Sequence, residues 1–391
     1  MTMFRIFSSI KPPKWLGQTY DILSVWKNVD LILLVAVTLQ SIIGAFTVYS
    51  ATRQRLINQG FDQFVYVQRQ VLFLIVAGLA MALIMAIGHD WIRERAVFWF
   101  ISSSVLLILV LVAGAVRRGA RLSFDLGPIS LQPAELMKVA VLILIAAYTA
   151  DALNDKIDYH QFSVSLLILG FPVILILLQP DLGSASVLVA GVAGILLIAG
   201  AKRRYIVLIT LLAIVSAVAV AAFGVVDKYQ LRRLEAYINQ DSNDKALQKI
   251  VLQVRFAKRA VSSGGFFGKG YLQGPLTNGA FIPVQFSDFP FSAIGEQFGM
   301  VGGFVVLGIF GVILWRLWAI SRLSRTRFDQ LLLAGIFAML LFQVFQNIGM
   351  TIGLTPVSGL PLPFISYGGS HLVSSGLLMG LSQSVYMRRF R

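Results

Sequence analysis

Ser287-Asp288-Phe289-Pro290-Phe291-Ser292-Ala293-Ile294-Gly295-Glu296 opens a stretch that stays apolar to Ile320. Roughly 20 such residues carry an α-helix across a bilayer, so Phe289–Ile320 reads as a membrane span. It places one carboxylate, Asp288, at the mouth of the span and a second, Glu296, about two turns further in. Acids are costly in hydrocarbon, and at a span they mark functional sites by default. Asp288 has Phe289, Pro290 and Phe291 beside it. Partial desolvation by apolar neighbours is what turns a carboxylate into a competent general base.

Outward from this span the pattern repeats. Of 391 residues, 57% are hydrophobic and only 13% charged. Ten spans follow: Leu31–Ser50, Val71–Gly88, Ala96–Val116, Pro133–Thr149, Phe162–Leu178, Ala185–Ala201, Tyr205–Val226, Phe289–Ile320, Leu331–Ile352 and Leu372–Tyr386. The fold class is an all-α polytopic membrane protein. Its apolar runs are continuous rather than alternating, which argues against a membrane β-barrel. Cysteine is absent, which excludes disulfides and thiol chemistry. The first residues lack a compact apolar core and a small-residue cleavage site, so the first span is expected to be an uncleaved anchor.

Lys and Arg in the short loops set orientation. With a cytoplasmic N-terminus, the inside segments hold seventeen, among them Lys27, Arg93, Lys156, Lys202, Arg203 and Arg388, and the short outside segments seven. Both termini are therefore expected in the cytoplasm. The expected organisation is a cytoplasmic segment 1–29, a ten-span membrane domain 30–387 containing a large external loop 225–288, and a cytoplasmic tail 388–391. Long loops cross regardless of charge, so that loop's Lys228, Arg232, Arg233, Lys249, Arg255, Lys258 and Lys269 leave the topology intact. No solenoid period and no matching halves are visible, so an inverted-repeat transporter is not signalled.

Four external segments concentrate polarity. Arg121 to Gly127 leads to Gln132-Pro133-Ala134-Glu135-Leu136-Met137-Lys138. Pro133 suits a first helical turn, and Glu135 and Lys138, at i and i+3, can pair on one face. A helix-start ion pair is the plain explanation; its position one turn inside a span favours a site. In Gln179-Pro180-Asp181-Leu182-Gly183-Ser184, Asp181 either caps the next helix or serves the site. The long loop mixes apolar and basic positions at near-helical spacing around Lys249 to Lys258, as interfacial helices do. Its charge suits either anionic headgroups or a phosphate-bearing substrate. The run Ser262-Ser263-Gly264-Gly265-Phe266-Phe267-Gly268-Lys269-Gly270 can wrap an anion, though it is no Walker motif. Finally, Gly353 to Ser370 carries Pro356, Pro361 and Pro363 amid apolar residues. It reads as a re-entrant cavity wall, since irregular backbone at membrane depth must be buried or line a cavity.

Together these five motifs (Leu131–Lys138, Gln179–Gly183, Gly264–Gly274, Ser287–Gly299 and Pro356–Ser370) resemble the SEDS family, the shape, elongation, division and sporulation proteins of bacteria. The resemblance covers about Asp30 to Met387, and Thr355 to Pro363 is similar to the elongation branch. It implies a ten-span fold in the bacterial cytoplasmic membrane and peptidoglycan glycosyltransferase activity on lipid II. It implies Asp288 as the catalytic carboxylate and Glu135, Lys138 and Asp181 on the cavity. Gln132, Arg121, Ser366 and Tyr367 join the expected substrate-binding set from the same motifs. Implied partners are lipid II, a class B penicillin-binding protein and other membrane proteins of the elongation complex, with no nucleic acid. The chain departs from the family pattern at Ser123, at Gln297 after Glu296, and at His371 where a small residue is usual.

The chemistry follows from the substrate. Pyrophosphate leaves readily once its charge is neutralised; Arg255, Lys258 and Lys269 are the candidates for that, with a divalent cation (Mg or Mn) as a further one and no cofactor required by the sequence. A sugar hydroxyl needs a base, and one carboxylate suffices for inverting displacement. A flippase for lipid-linked precursors is the alternative; it does not explain a base on one face only. A scaffold would make the acids dispensable.

Overall fold

The computed structural model describes residues 28–202 and 245–389, apart from 118–119, 127–128 and 152–156, with scattered positions between 204 and 238. The expectations on residues 1–27, on Lys156 and Arg203, on Lys228 and Arg232, and nearly all of the span Tyr205–Val226, lie outside the described residues.

Every other expected span coincides with a helix. In chain order these are α1 (Leu31–Asn58), α2 (Val65–Ile87), a short α3 (His89–Glu94), α4 (Ala96–Ala113), α5 (Pro133–Ala150), α6 (Tyr159–Leu178) and α7 (Leu182–Ile198). After the long loop come α8 (Lys245–Ser263), the single turn α9 (Pro275–Asn278), α10 (Pro290–Leu323), α11 (Arg327–Ile352) and α12 (Gly369–Met387). Among the described residues seven helices are long and apolar enough to cross a membrane: α1, α2, α4, α5, α6, α10 and α11. The shorter apolar α7 packs among them. The protein is thus a multi-pass membrane protein.

The outer helices keep Leu, Ile, Val and Phe on their surfaces, as lipid-facing helices do, whereas α5 and α11 are mostly buried. With lipid outside, helices associate through close packing of small residues. The Gly376-x-x-x-Gly380 face of α12 lies on α2, where a Cβ on Gly376 would stand 2.4 Å from the Ala77 carbonyl oxygen. Gly194 of α7 is likewise closed by Ala338 of α11, 2.4 Å from where its Cβ would be.

Two features go beyond the expected spans. Residues between α4 and α5 form an antiparallel three-stranded meander, β1 (Ala115–Arg117), β2 (Ala120–Leu126) and β3 (Ile129–Leu131). Arg121 pairs with Val116 and Phe124 with Leu131. Second, α8 docks onto the bundle: Ala257 and Ala260 are buried against Ile282, Phe289, Met350 and Val357.

Polar contacts lock one end of the bundle. Asp30 accepts from Leu33 N at 3.0 Å, capping α1, and from Arg316 Nε of α10 at 2.9 Å. Gln383 of α12 bonds the Asp30 backbone on both sides, at 2.9 and 2.8 Å. Nearby, His89 meets Asp329 at 3.1 Å and Ser384 Oγ at 3.0 Å. Buried acids are tolerated here because each is paired and hydrogen-bonded.

Candidate active site

A polar cavity of about 480 Å³ opens at the opposite end, where β2, β3, the starts of α5, α7 and α12, and the segments 287–288 and 358–361 converge. Gln132, Glu135, Asp181, Asp288, Tyr367 and His371 all line it.

The segment between α11 and α12 makes one wall. Leu362, Phe364, Ile365 and Ser366 are buried. Gly44, midway along α1, admits this backbone: a Cβ there would lie 2.5 Å from the Phe364 carbonyl oxygen. Gln70 of α2 donates to the Ser366 carbonyl at 3.3 Å. The segment therefore re-enters the bundle, its irregular backbone buried in protein as membrane depth requires. Asn347 of α11 ties it to the site, donating to Leu360 O at 2.7 Å and to Asp288 O at 2.9 Å.

Asp288 stands in the turn before α10, half-buried, with its backbone N–H bonded to Val284 O at 2.9 Å. Its carboxylate accepts from Ser287 Oγ at 2.8 Å and forms no ion pair among the described residues. Pro290 at the first helical position of α10 fixes the chain direction just past it. A cavity-facing carboxylate with that freedom can accept a proton from a bound hydroxyl.

Glu135 is held differently. Lys138 Nζ lies 2.6 Å from one carboxylate oxygen, Ser374 Oγ donates to the other at 2.6 Å, and His371 Nδ1 stands 3.5 Å from it. Asp181 does both things expected of it in the alternative. It caps α7, accepting from Ser184 N at 2.9 Å, and it lines the cavity, accepting from Gln132 Nε2 at 3.2 Å. Gln132 N in turn bonds Ser370 Oγ at 2.9 Å, joining the starts of α5 and α12. Tyr367 rests on Tyr66, Phe73 and Phe286. Burial and the neighbouring Tyr66 raise its hydroxyl above the usual tyrosine value, against the opposing pull of Arg69.

Six expected substrate contacts do not line this cavity, the first being Lys138, which is buried behind it with its ammonium on Glu135. Arg121 is exposed and donates to the Leu111 and Val112 carbonyls, satisfying the end of α4. Ser366 is fully buried and accepts from Leu362 N at 2.7 Å, closing a turn. Lys269 is exposed on the glycine-rich run, whose glycines serve close backbone approach rather than anion wrapping. Lys269 N and Gly270 N donate to the Glu296 and Gln297 carbonyls at 3.0 Å each, and Gly265 O accepts from Met300 N. A Cβ on Gly268 would lie 2.2 Å from Gln297 O, and Gly299 interrupts α10 at φ 63°, so both positions need glycine. Arg255 and Lys258 face a small adjoining recess with Tyr237 and Thr355. Arg233 belongs to both recess and cavity and was not among the expected contacts.

Glu296, the second acid of the opening motif, also turns away. It accepts from Leu276 N, Thr277 N and Thr277 Oγ1, capping α9. Among the described residues no cluster of three or more His, Cys, Asp or Glu side chains is placed to hold a metal ion.

Fold and site define a multi-pass membrane protein that presents an acid-bearing polar cavity at one end of its bundle. Residues 30–389 match the family model FTSW_RODA_SPOVE, described as cell cycle protein, and the chain belongs to this family. The peptidoglycan glycosyltransferase MrdB of Escherichia coli is 29% identical over 90% of this chain and 93% of its own length. The fold is similar to a chain from a structure titled "Structural coordination of polymerization and crosslinking by a peptidoglycan synthase complex", with TM-score 0.74, 29% identity and 93% and 99% of the two chains covered. It is also similar to the crystal structure of the rod shape determining protein RodA of Thermus thermophilus, with TM-score 0.69, 29% identity and 94% and 99% covered.

Proposed function

We propose that this protein is a peptidoglycan glycosyltransferase that polymerises lipid II in cell-wall synthesis, with Asp288 as the general base. The observation that carries the assignment is the contrast among the acids. Glu135 is neutralised by Lys138 and Glu296 is consumed in capping α9, whereas Asp288 has, among the described residues, only a serine side-chain partner and faces the cavity. Family membership and relatives named as peptidoglycan glycosyltransferases supply the reaction class.

Asp288 takes the proton of the acceptor hydroxyl as that oxygen attacks the anomeric carbon of the donor. The bond to the diphosphate oxygen breaks, and the polyprenyl diphosphate departs with the electron pair. One base and one displacement give inversion without a covalent intermediate. Asn347 and Pro290 hold Asp288 in register, and the Gln132–Asp181 bond fixes another part of the cavity lining.

The cavity end is the external face of a bacterial cytoplasmic membrane, both termini are cytoplasmic, and the partners are a class B penicillin-binding protein and other membrane proteins of the elongation complex. The loop charges support the orientation, the neighbour from a peptidoglycan synthase complex supports a partnered enzyme, and the Thr355–Pro363 motif supports the elongation branch. Purified protein supplied with lipid II should form glycan strands. Lipid translocation in vesicles without strand formation would favour a flippase instead. Exposed Gln59, replaced by Cys, should label from outside intact cells.

A further inference from the structure

The cavity contains a feature that the base mechanism does not use. Helix α12 begins inside the cavity wall at Gly368-Gly369-Ser370-His371, and no side chain caps it. The first backbone N–H groups of a helix have no partner within it and carry the positive end of its dipole, a setting suited to anions. Ser370, the natural capping type, is turned away to bond Ser130 O at 2.7 Å and Gln132 N at 2.9 Å.

A second, independent observation sits on the same turn. His371 is 5% exposed and lines the cavity, yet neither ring nitrogen has a hydrogen-bond partner among the described residues. Its Nδ1 approaches Glu135 only to 3.5 Å, too long for a hydrogen bond. Glu135 is already hydrogen-bonded by Lys138 and Ser374; its charge faces Nδ1 alone, and Nε2 is left without a partner among the described residues. A buried polar group without a partner is costly, and histidine at the cavity edge gains its partner from whatever enters.

We propose that the uncapped N-terminus of α12 and the imidazole of His371 together form the subsite for the diphosphate of the lipid-linked donor. This rests on the glycosyltransferase reading above. The cavity's other charged lining comprises Glu135, Asp181 and Asp288 against Arg233, so a doubly charged phosphoanhydride needs donors beyond Arg233. Backbone N–H groups and a histidine N–H meet that need on the wall that Ser370 ties to Gln132. The subsite also accounts for the loop cations Arg255, Lys258 and Lys269 lying elsewhere: the leaving group is received by the bundle, not by the loop. His371 binds here; it takes no proton from the acceptor.

The test compares His371→Leu with His371→Gln, whose amide can replace the Nε2 donor. His371→Leu should raise KM for lipid II about tenfold with kcat within about threefold of wild type, and His371→Gln should restore most of the loss. Binding of polyprenyl diphosphate to the purified full chain, read by competition with a fluorescent lipid, should weaken by the same factor, while polyprenyl monophosphate is affected less. Unchanged KM and diphosphate affinity in His371→Leu would overturn the subsite. If His371→Leu does not fold, wild type binding monophosphate as tightly as diphosphate overturns it equally. Failure of wild-type protein to polymerise lipid II at all would strike the glycosyltransferase reading instead, and the binding comparison remains decisive for the subsite.

Discussion

Glu296 and Thr277 are bound twice, the carboxylate accepting from the Thr277 backbone N–H at 2.8 Å and from its hydroxyl at 2.6 Å. The acid that sequence places deepest in the opening motif is thereby a fastener between α10 and α9, and the motif keeps one free carboxylate, Asp288. Replacing Glu296 with Ala leaves the part-buried N–H of Leu276 and the buried N–H of Thr277 without acceptors. A loss of about 3 kcal/mol of stability is expected, read as a lowered Tm in detergent. A Tm unchanged from wild type would show that α9 does not depend on this bond.

The Glu135–Lys138 pair is almost wholly buried, at 3% and 1% exposure. Removing one partner strands the other charge, at about 3–5 kcal/mol. Lys138→Met should therefore lower folded yield sharply, exposed Lys202→Ala should not, and Glu135→Gln combined with Lys138→Met should recover part of the loss. A double variant no better than Lys138→Met would contradict the pairing.

At the other end, Arg316→Met leaves Asp30, 2% exposed, without its guanidinium while Asp30 still caps α1. The expected result is a destabilisation comparable to Lys138→Met with the kinetics of the surviving folded protein unaltered. A changed KM would mean that the two ends communicate.

How much of this was legible beforehand depends on whether the signal was local. Continuous apolar runs located every span that the structure describes, because bilayer thickness fixes length irrespective of neighbours. Pro133, Glu135 and Lys138 disclosed a helix start and its ion pair through spacing alone. Proline and glycine amid apolar residues disclosed the re-entrant wall. The β-meander carried a signal that went unread: Arg121, Ser123 and Asp125 alternate with Leu122, Phe124 and Leu126, the period of a strand. The glycine-rich run could not be interpreted locally, since its purpose is the distant backbone of residues 296–301. Basic loop residues were assigned to the substrate by charge, and charge does not say which wall a side chain reaches. His371 was visible only as a departure from the family pattern.

Tyr367 lines the cavity with its hydroxyl held above the usual value by burial and Tyr66. A raised value keeps the neutral form, a hydrogen-bond donor, as pH rises past the point where free tyrosine, near 10, ionises. The alkaline limb of the pH–rate profile below about pH 10 should therefore keep its shape in Tyr367→Phe. A limb that disappears in this variant would assign the titration to Tyr367.

The central claim is that Asp288 supplies the base. Asp288→Asn preserves shape and the bonds to Asn347 and Val284, which use the backbone, and removes the basicity. Purified Asp288→Asn should fold, bind its partner and retain lipid II, yet polymerise at least about 10²-fold more slowly than wild type. Polymerisation by that variant at near the wild-type rate would contradict both the assignment and the mechanism.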